Sequence, residues 1–292
     1  MRDAPLSRRL ESIPYLAATH LLLSLPHGAV LRIGRALGTF GYAIDARHRK
    51  LVLRNLAWAL SERSADERRR LALACYQHVG RAFCEVFSVC RLTESDLRSR
   101  FRVEGLEHLQ AARAQNRGVM LTSGHFGSWQ VAIYPLSLLV GGLHAVARPL
   151  DNPYVARHVL RLRQRFGVRV VEWRGAGHRL VNLLRRRAAI GMVVDHRPAP
   201  GRGLALPFLG RPARTSSVPA IAAAACGAPV LPTRCTPEGN AGYTIRFDPP
   251  IQPGGTDPAA IERLMRAYTR PIEEAVRRQP EMWFWMHDRW KA

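Results

Sequence analysis

The chain has 292 residues, enough for one large α/β domain or two small ones. A hydrophobic content of 47% supports a sizeable core and excludes an intrinsically disordered chain. The formal net charge of +22 points to an anionic partner: nucleic acid, a phospholipid surface, an acidic carrier protein or a phosphorylated substrate. All the basic residues except Lys50 and Lys291 are arginine, and a GC-rich coding sequence would by itself produce part of that bias. The five cysteines (75, 84, 90, 226 and 235) form no C-x-x-C pair, which argues against a disulfide framework or a zinc site and fits a reducing compartment.

From the N-terminus, residues 1 to about 100 read as helical. Residues 14–31, "PYLAATHLLLSLPHGAVL", are apolar for about the span of a bilayer, but His20, Pro26 and His27 interrupt them. Arg2, Arg8 and Arg9 precede the segment and Arg32 and Arg35 follow it. A spanning helix wants roughly 20 clean apolar residues, so a helix lying in the membrane interface suits the pattern better; a buried helix pair is the alternative. Ser64 with Glu67 three residues on predicts a capping box, opening a helix through Leu71, Tyr76, Val79 and Phe83.

From Phe101 onward strands and helices alternate. Strands are predicted at 117–122, 143–147, 167–173, 189–195, 229–236 and 243–247. Helices are predicted at 128–140, 153–166, 177–187, 217–226 and 258–278. That order implies an α/β fold with a mixed, mostly parallel central sheet flanked by helices. Ligands gather at the carboxyl ends of such strands. His125, Arg148 and Asp195 all fall just past predicted strand ends, so they can converge.

His125 lies in "SGHFGSWQ", a glycine-flanked turn between a strand and a helix. A neutral imidazole there can remove a proton from an attacking hydroxyl or amine, and a carboxylate beside it would set its tautomer and stabilise its cation. A structural histidine bonded to backbone is the plainer alternative. Five residues on, where that carboxylate is sought, stands Gln130. Arg148, in "ARPLDNPY", could clamp a phosphate, pantetheine or carboxylate bidentately, or be one more surface arginine. Asp195, in "VVDHRP", ends an apolar strand and must either pair with a cation or line a site. Residues 207–213, "PFLGRPA", read as a turn, either a plain loop or one wall of an apolar tunnel. Thr215, Ser216 and Ser217 follow, placed to cap the next helix or to bond a ligand. The closing "PEMWFWMHDRWK" clusters aromatic and basic residues that could stack bases, sit at a membrane interface or close the core.

Taken in order, Arg54-Asn-Leu56, "SGHFGSWQ", "ARPLDNPY", Arg165-Phe-Gly167, "GMVVDHRP", "LPFLGRPA", "GAPVLP" and "PEMWFWMHDRWK" resemble the lipid A biosynthesis acyltransferases, the lauroyl/myristoyl transferase family within the glycerolipid acyltransferase superfamily. The resemblance implies transfer of a fatty acyl chain from acyl carrier protein, or from acyl-CoA, to a hydroxyl or amine of a lipid. It places that reaction at the cytoplasmic face of the inner membrane, with no metal and no cofactor. It implies membrane-associating helices over residues 1–45 and an acyltransferase domain over 46–292. By position His125 matches the general base of the family's H-x4-D/E motif, and Arg148 and Asp195 match polar positions that order the site or hold substrate. Gly127, Phe208, Gly210 and Thr215 are assigned with them as substrate contacts. Gln130 replaces the motif's acid: an amide can fix the ring's tautomer but cannot neutralise the imidazolium, so a weaker base is expected. The alternative is a relative that binds lipid or acyl carrier protein without turnover. Nucleic-acid binding is disfavoured, because the arginines are scattered and no recognition motif is present.

Overall fold

The computed structural model describes residues 6–199, 202–239 and 242–291. Arg2, and Asn240 and Ala241 of the turn expected between the last two strands, lie outside the described residues. Five helices come first: α1 (Leu6–Ser24), α2 (His27–Ile44), α3 (Ala46–Ala59), α4 (Ala65–Val89) and α5 (Glu94–Arg100). Then follow β1 (Phe101–Glu104), α6 (Leu106–Ala114), β2 (Val119–Ser123), α7 (Trp129–Val140), β3 (Leu143–Ala147), α8 (Pro153–Gln164), β4 (Arg169–Glu172), α9 (Ala176–Arg185) and β5 (Ala189–Val193). The chain continues through β6 (Leu204–Phe208), β7 (Arg211–Thr215), α10 (Val218–Cys226), β8 (Val230–Glu238), β9 (Gly242–Phe247) and α11 (Pro258–Arg278), and closes with a single 3₁₀ turn at Pro280–Met282.

Local chemistry sets these boundaries. Ser64 and Glu67 cap α4 reciprocally: the Glu67 N–H donates to Ser64 Oγ at 3.2 Å, and the Ser64 N–H donates to Glu67 Oε2 at 2.7 Å. Asn152 and Asp257 cap α8 and α11 through side-chain oxygens, each followed by a proline in the first turn. The apolar N-terminal segment is split at Pro26 into α1 and α2, since proline has no N–H to continue a helix. No helix among the described residues is long and apolar enough to cross a membrane.

Seven strands form the central sheet in the order β1-β9-β8-β2-β5-β3-β4. All neighbours pair in parallel except β8 with β9, so β1 and β9 run against the other five. Successive side chains point to opposite faces. Met120, Ile190 and Val230 pack into the core layer built with α4, α9, α10 and α11. Val119, Leu121, Ala189 and Leu231 pack into the other layer, with α5 and α7.

Two departures from the sequence reading bear on the site. Residues 207–213 are not a simple turn but the centre of a hairpin, β6 with β7, in which Pro207 faces Pro212. Two prolines opposite each other have no N–H to give, so they occupy a non-hydrogen-bonded pair, which a two-stranded ribbon tolerates. The turn itself is Leu209-Gly210, both with positive φ (+50° and +81°), as tight hairpin turns require. The second departure is the close crossing of α2 and α4. A Cβ on Gly38 would lie 2.1 Å from the Tyr76 carbonyl oxygen, and one on Gly80 would lie 2.2 Å from that of Gly34. The apolar N-terminal segment is therefore partly built into the fold through α2.

Candidate active site

β2 and β5 are parallel neighbours with Ser123 opposite Val193, and the Val194 N–H extends the ladder to the Ser123 carbonyl at 2.8 Å. The two residues beyond each strand end therefore sit side by side: Gly124-His125 and Val194-Asp195. Asp195 Oδ1 lies 2.7 Å from His125 Nδ1, and Oδ2 accepts the His125 backbone N–H at 2.7 Å. Oδ2 also accepts the indole N–H of Trp283 at 2.7 Å. Gly124 allows this approach, since a Cβ there would meet Ile272 Cγ2 at 2.7 Å and Asp195 Oδ2 at 3.0 Å.

The carboxylate is fully buried, whereas 30% of the His125 side chain is exposed. Burial alone would raise the Asp195 pKa. The facing imidazole, together with the donated N–H groups of His125 and Trp283, instead holds it far below the usual carboxylate range. Burial disfavours the His125 cation, but Asp195 more than offsets this and raises the imidazole's pKa. With Nδ1–H given to the carboxylate, Nε2 is the ring nitrogen left to take a proton. Among the described residues no hydrogen bond joins His125 to Gln130, which sits in the first turn of α7. The expectation that Gln130 leaves the His125 cation without an opposing charge is thus corrected. The acid is present, but it comes from the next strand rather than from five residues along the chain.

The loop is fastened on several sides. Gly127 donates its N–H to Met282 O at 2.9 Å, Phe284 donates to His125 O at 2.9 Å, and Ser128 donates to Cys235 O at 2.9 Å. His78 on α4 reaches Gly127 O from Nε2 at 3.1 Å. Gly127 has φ +60°, and a Cβ on it would lie 2.1 Å from Cys235 O, so only glycine fits. The aromatic C-terminal segment closes the core: Trp283 and Trp285 are buried, and Asn55 ties down the Trp285 and His287 carbonyls at 3.0 and 3.1 Å. Its Phe284 and the Trp129 ring flank His125, with centroids 6.1 and 5.5 Å away, and Trp129 in turn meets the exposed Phe83.

The other expected site residues fall in different places. Arg148 is exposed beyond the end of β3, on the same sheet edge, with Asp151 3.6 Å away. Phe208 is buried beneath Trp283 at a centroid distance of 5.4 Å, and Gly210 is exposed at the hairpin tip. The Thr215 hydroxyl accepts from the buried Arg289 at 2.6 Å and donates to Ala213 O at 3.1 Å. Phe208 and Thr215 therefore brace the Trp283 layer from behind. His196, beside Asp195, and His287 are both partly buried, and that burial lowers both pKa values, that of His287 to about 4. At neutral pH neither competes with His125 as the cation facing Asp195. Trp283 was missed as a site residue; an indole N–H is a donor that seeks a partner when buried, which was the available signal.

The model of the bacterial lipid A biosynthesis acyltransferases matches residues 7–292. The chain belongs to that family. Membership makes it an acyltransferase by class. It is 25% identical to the lipid A biosynthesis lauroyltransferase of Escherichia coli over 276 residues, covering 93% of this chain and 88% of the relative. It is 25% identical to the E. coli palmitoleoyltransferase over 280 residues, covering 95% and 90%. It is also 27% identical over 285 residues to the phosphatidylinositol mannoside acyltransferase of Mycobacterium tuberculosis, covering 95% and 88%.

Proposed function

We propose that this acyltransferase moves a fatty acyl chain from an acyl carrier protein thioester to a hydroxyl or amine of an envelope lipid, with His125 as general base. The 2.7 Å pair of His125 Nδ1 with a buried Asp195 carries the reading. As the acceptor oxygen or nitrogen attacks the thioester carbonyl, its proton passes to His125 Nε2. Asp195 stays ionised, holds the tautomer and stabilises the imidazolium. When the tetrahedral intermediate collapses, the C–S bond breaks and Nε2–H returns the proton to the leaving thiolate. The imidazole ends neutral, and no oxidant or reductant enters. The binding-only alternative rested on an absent acid, and Asp195 supplies one.

Relatives named for lipid A and for phosphatidylinositol mannoside support a membrane lipid acceptor. Gln130, in the first turn of α7, and the exposed Arg148 then serve the polar part of the substrate, and Gly127 holds the His125 loop in place for it. The helices within residues 1–45 lie on the cytoplasmic face of the inner membrane. Leu37, Phe40 and Ile44 on α2, each more than half exposed, form one flank of that helix, and the exposed Arg32 and Arg35 lie on another. The net charge of +22 suits both an anionic leaflet and an acidic carrier protein. The test supplies purified protein with radiolabelled acyl carrier protein thioester and a bacterial lipid extract. Label should enter lipid, and His125→Ala should abolish transfer in protein that circular dichroism shows to be folded. Transfer that survives in His125→Ala sinks the mechanism.

A further inference from the structure

Behind the His125 loop, on α4, lies a second buried carboxyl group that the reaction does not use. Glu85 is 1% exposed. Its Oε2 is 3.3 Å from the Tyr243 hydroxyl and 3.9 Å from Arg81 Nε. Its Oε1 has no bonded partner, and neither has the buried Ser128 hydroxyl or Arg81 Nε. The Ser128 hydroxyl, three residues after His125, lies near this carboxyl group without a hydrogen bond to it.

On the far side the protons can be counted. Ser88 Oγ donates to the Glu85 backbone carbonyl at 2.9 Å, so at 2.7 Å it must accept from His27 Nδ1. Burial, reinforced by Arg100, Arg81 and Arg91, pushes His27 down to about 4, so the ring is neutral and Nε2 carries no proton. The Tyr243 hydroxyl then stands between two acceptors, His27 Nε2 at 3.5 Å and Glu85 Oε2 at 3.3 Å, with one proton to give. A proton on Glu85 resolves the shortage: Glu85 donates to Tyr243, and Tyr243 donates to His27.

We propose that Glu85 acts as a neutral carboxylic acid that positions the catalytic loop, its proton completing the chain to Tyr243 and His27 while its other oxygen accepts the Ser128 hydroxyl. Glu85 is thus a positioning residue, acting on His125 through Ser128 and the start of α7. This rests on His125 being the base.

Burial pushes the Glu85 pKa up to about 7 against the pull of Ser128, Arg81 and Tyr243. The other titratable groups facing it hold their charge between pH 6 and 9. His27 is neutral, and Tyr243 and the thiols of Cys84 and Cys235 are pushed up by burial. Above neutral pH a buried anion therefore forms beside Arg81, and the Ser128 and Tyr243 contacts rearrange around it.

The experiment compares wild type, Glu85→Gln and His125→Ala for release of coenzyme A from palmitoyl-CoA in micelles of a bacterial lipid extract, from pH 5.5 to 9. The amide reproduces the neutral acid, with a donor for Tyr243 and an acceptor for Ser128. Wild-type kcat should rise as His125 loses its proton and then fall with a midpoint near pH 7. Glu85→Gln should keep the rise, lose the fall and exceed wild type several-fold at pH 8.5, with KM unchanged. The melting temperature of the wild type relative to Glu85→Gln should fall from pH 6 to 9, a difference in which the histidines common to both proteins cancel. Wild-type profiles of rate and melting in Glu85→Gln overturn the proposal. So does a folded Glu85→Gln that is inactive at every pH, because the carboxylate would then be the working form. Activity persisting in His125→Ala instead overturns the assignment of the base, independently of Glu85.

Discussion

Asp195 and Glu85 are both carboxyl groups with about 1% of the side chain exposed, and the fold drives them to opposite protonation states. Asp195 receives a backbone N–H and an indole N–H on one oxygen and faces an imidazole with the other, all at 2.7 Å. Glu85 has one hydroxyl at 3.3 Å, a guanidinium nitrogen at 3.9 Å and an oxygen with no bonded partner. Burial disfavours charge equally in both places, so the count and distance of donors decide the outcome. The group that must carry charge beside the base has three short partners, and the group behind it does not.

Removing charge from the well-served acid should have the largest effect. Asp195→Asn keeps the shape but leaves the imidazole in the wrong tautomer and its cation unopposed. Acyl transfer should fall ~10³–10⁴-fold, as amide-for-acid changes in such pairs do. Steady-state rates with the acyl carrier thioester test this, and a loss below tenfold would detach Asp195 from the reaction.

The next effect is on stability, and its sign differs between the two acids. The folded pKa of Glu85 is raised from 4.5 to about 7, so its contribution is intact below pH 4.5 and is lost as pH climbs to about 7. At 1.36 kcal/mol per pKa unit that loss is about 3 kcal/mol. Asp195 is held below its ordinary 3.8, so its contribution is present above that value and is lost as pH falls further. The denaturant midpoint of the wild type relative to Glu85→Gln should therefore fall between pH 4.5 and 7.5, a difference in which the depressed histidines His27 and His287 cancel. Smaller again is Trp283→Phe, which keeps the packing but deletes one donor to a charged oxygen. A cost of about 1.5–3 kcal/mol is expected, divided between melting temperature and rate. No change in either would show that the indole N–H does not support Asp195.

Much of this arrangement could be read from the chain, and the unread part has a common cause. α11 was predicted at its observed ends because Asp257 and Pro258 mark its start and its apolar spacing is helical. Strand ends at His125, Arg148 and Asp195 were also visible, since each follows a short apolar run. The pairing of His125 with Asp195 was not, because it needs β2 beside β5 with β3 and β4 displaced to one side. Sheet order is a tertiary property that local propensity does not encode. Trp283 lies 88 residues beyond Asp195 and was masked by an aromatic cluster with a sufficient bland explanation. β6 and β7 were hidden by Pro207 and Pro212, which argue against strands in any sheet wider than two.

The smallest effect belongs to the position that first looked decisive. With no carboxylate recognised elsewhere, Gln130 reads as a replaced acid, and Gln130→Glu as a change that would either restore the rate or abolish it. His125 Nδ1 is already engaged with Asp195 at 2.7 Å, so a second acid cannot take over that bond without displacing the first. A glutamate in the first turn of α7 is also tolerated by the helix dipole, worth about 0.3–1 kcal/mol there. Gln130→Glu should therefore change kcat by no more than about threefold, since 1.4 kcal/mol would be needed for tenfold, with any larger change confined to KM for the lipid acceptor. A tenfold rise in kcat would mean that the working acid enters from α7 when substrate binds, and that Asp195 serves chiefly to hold the loop.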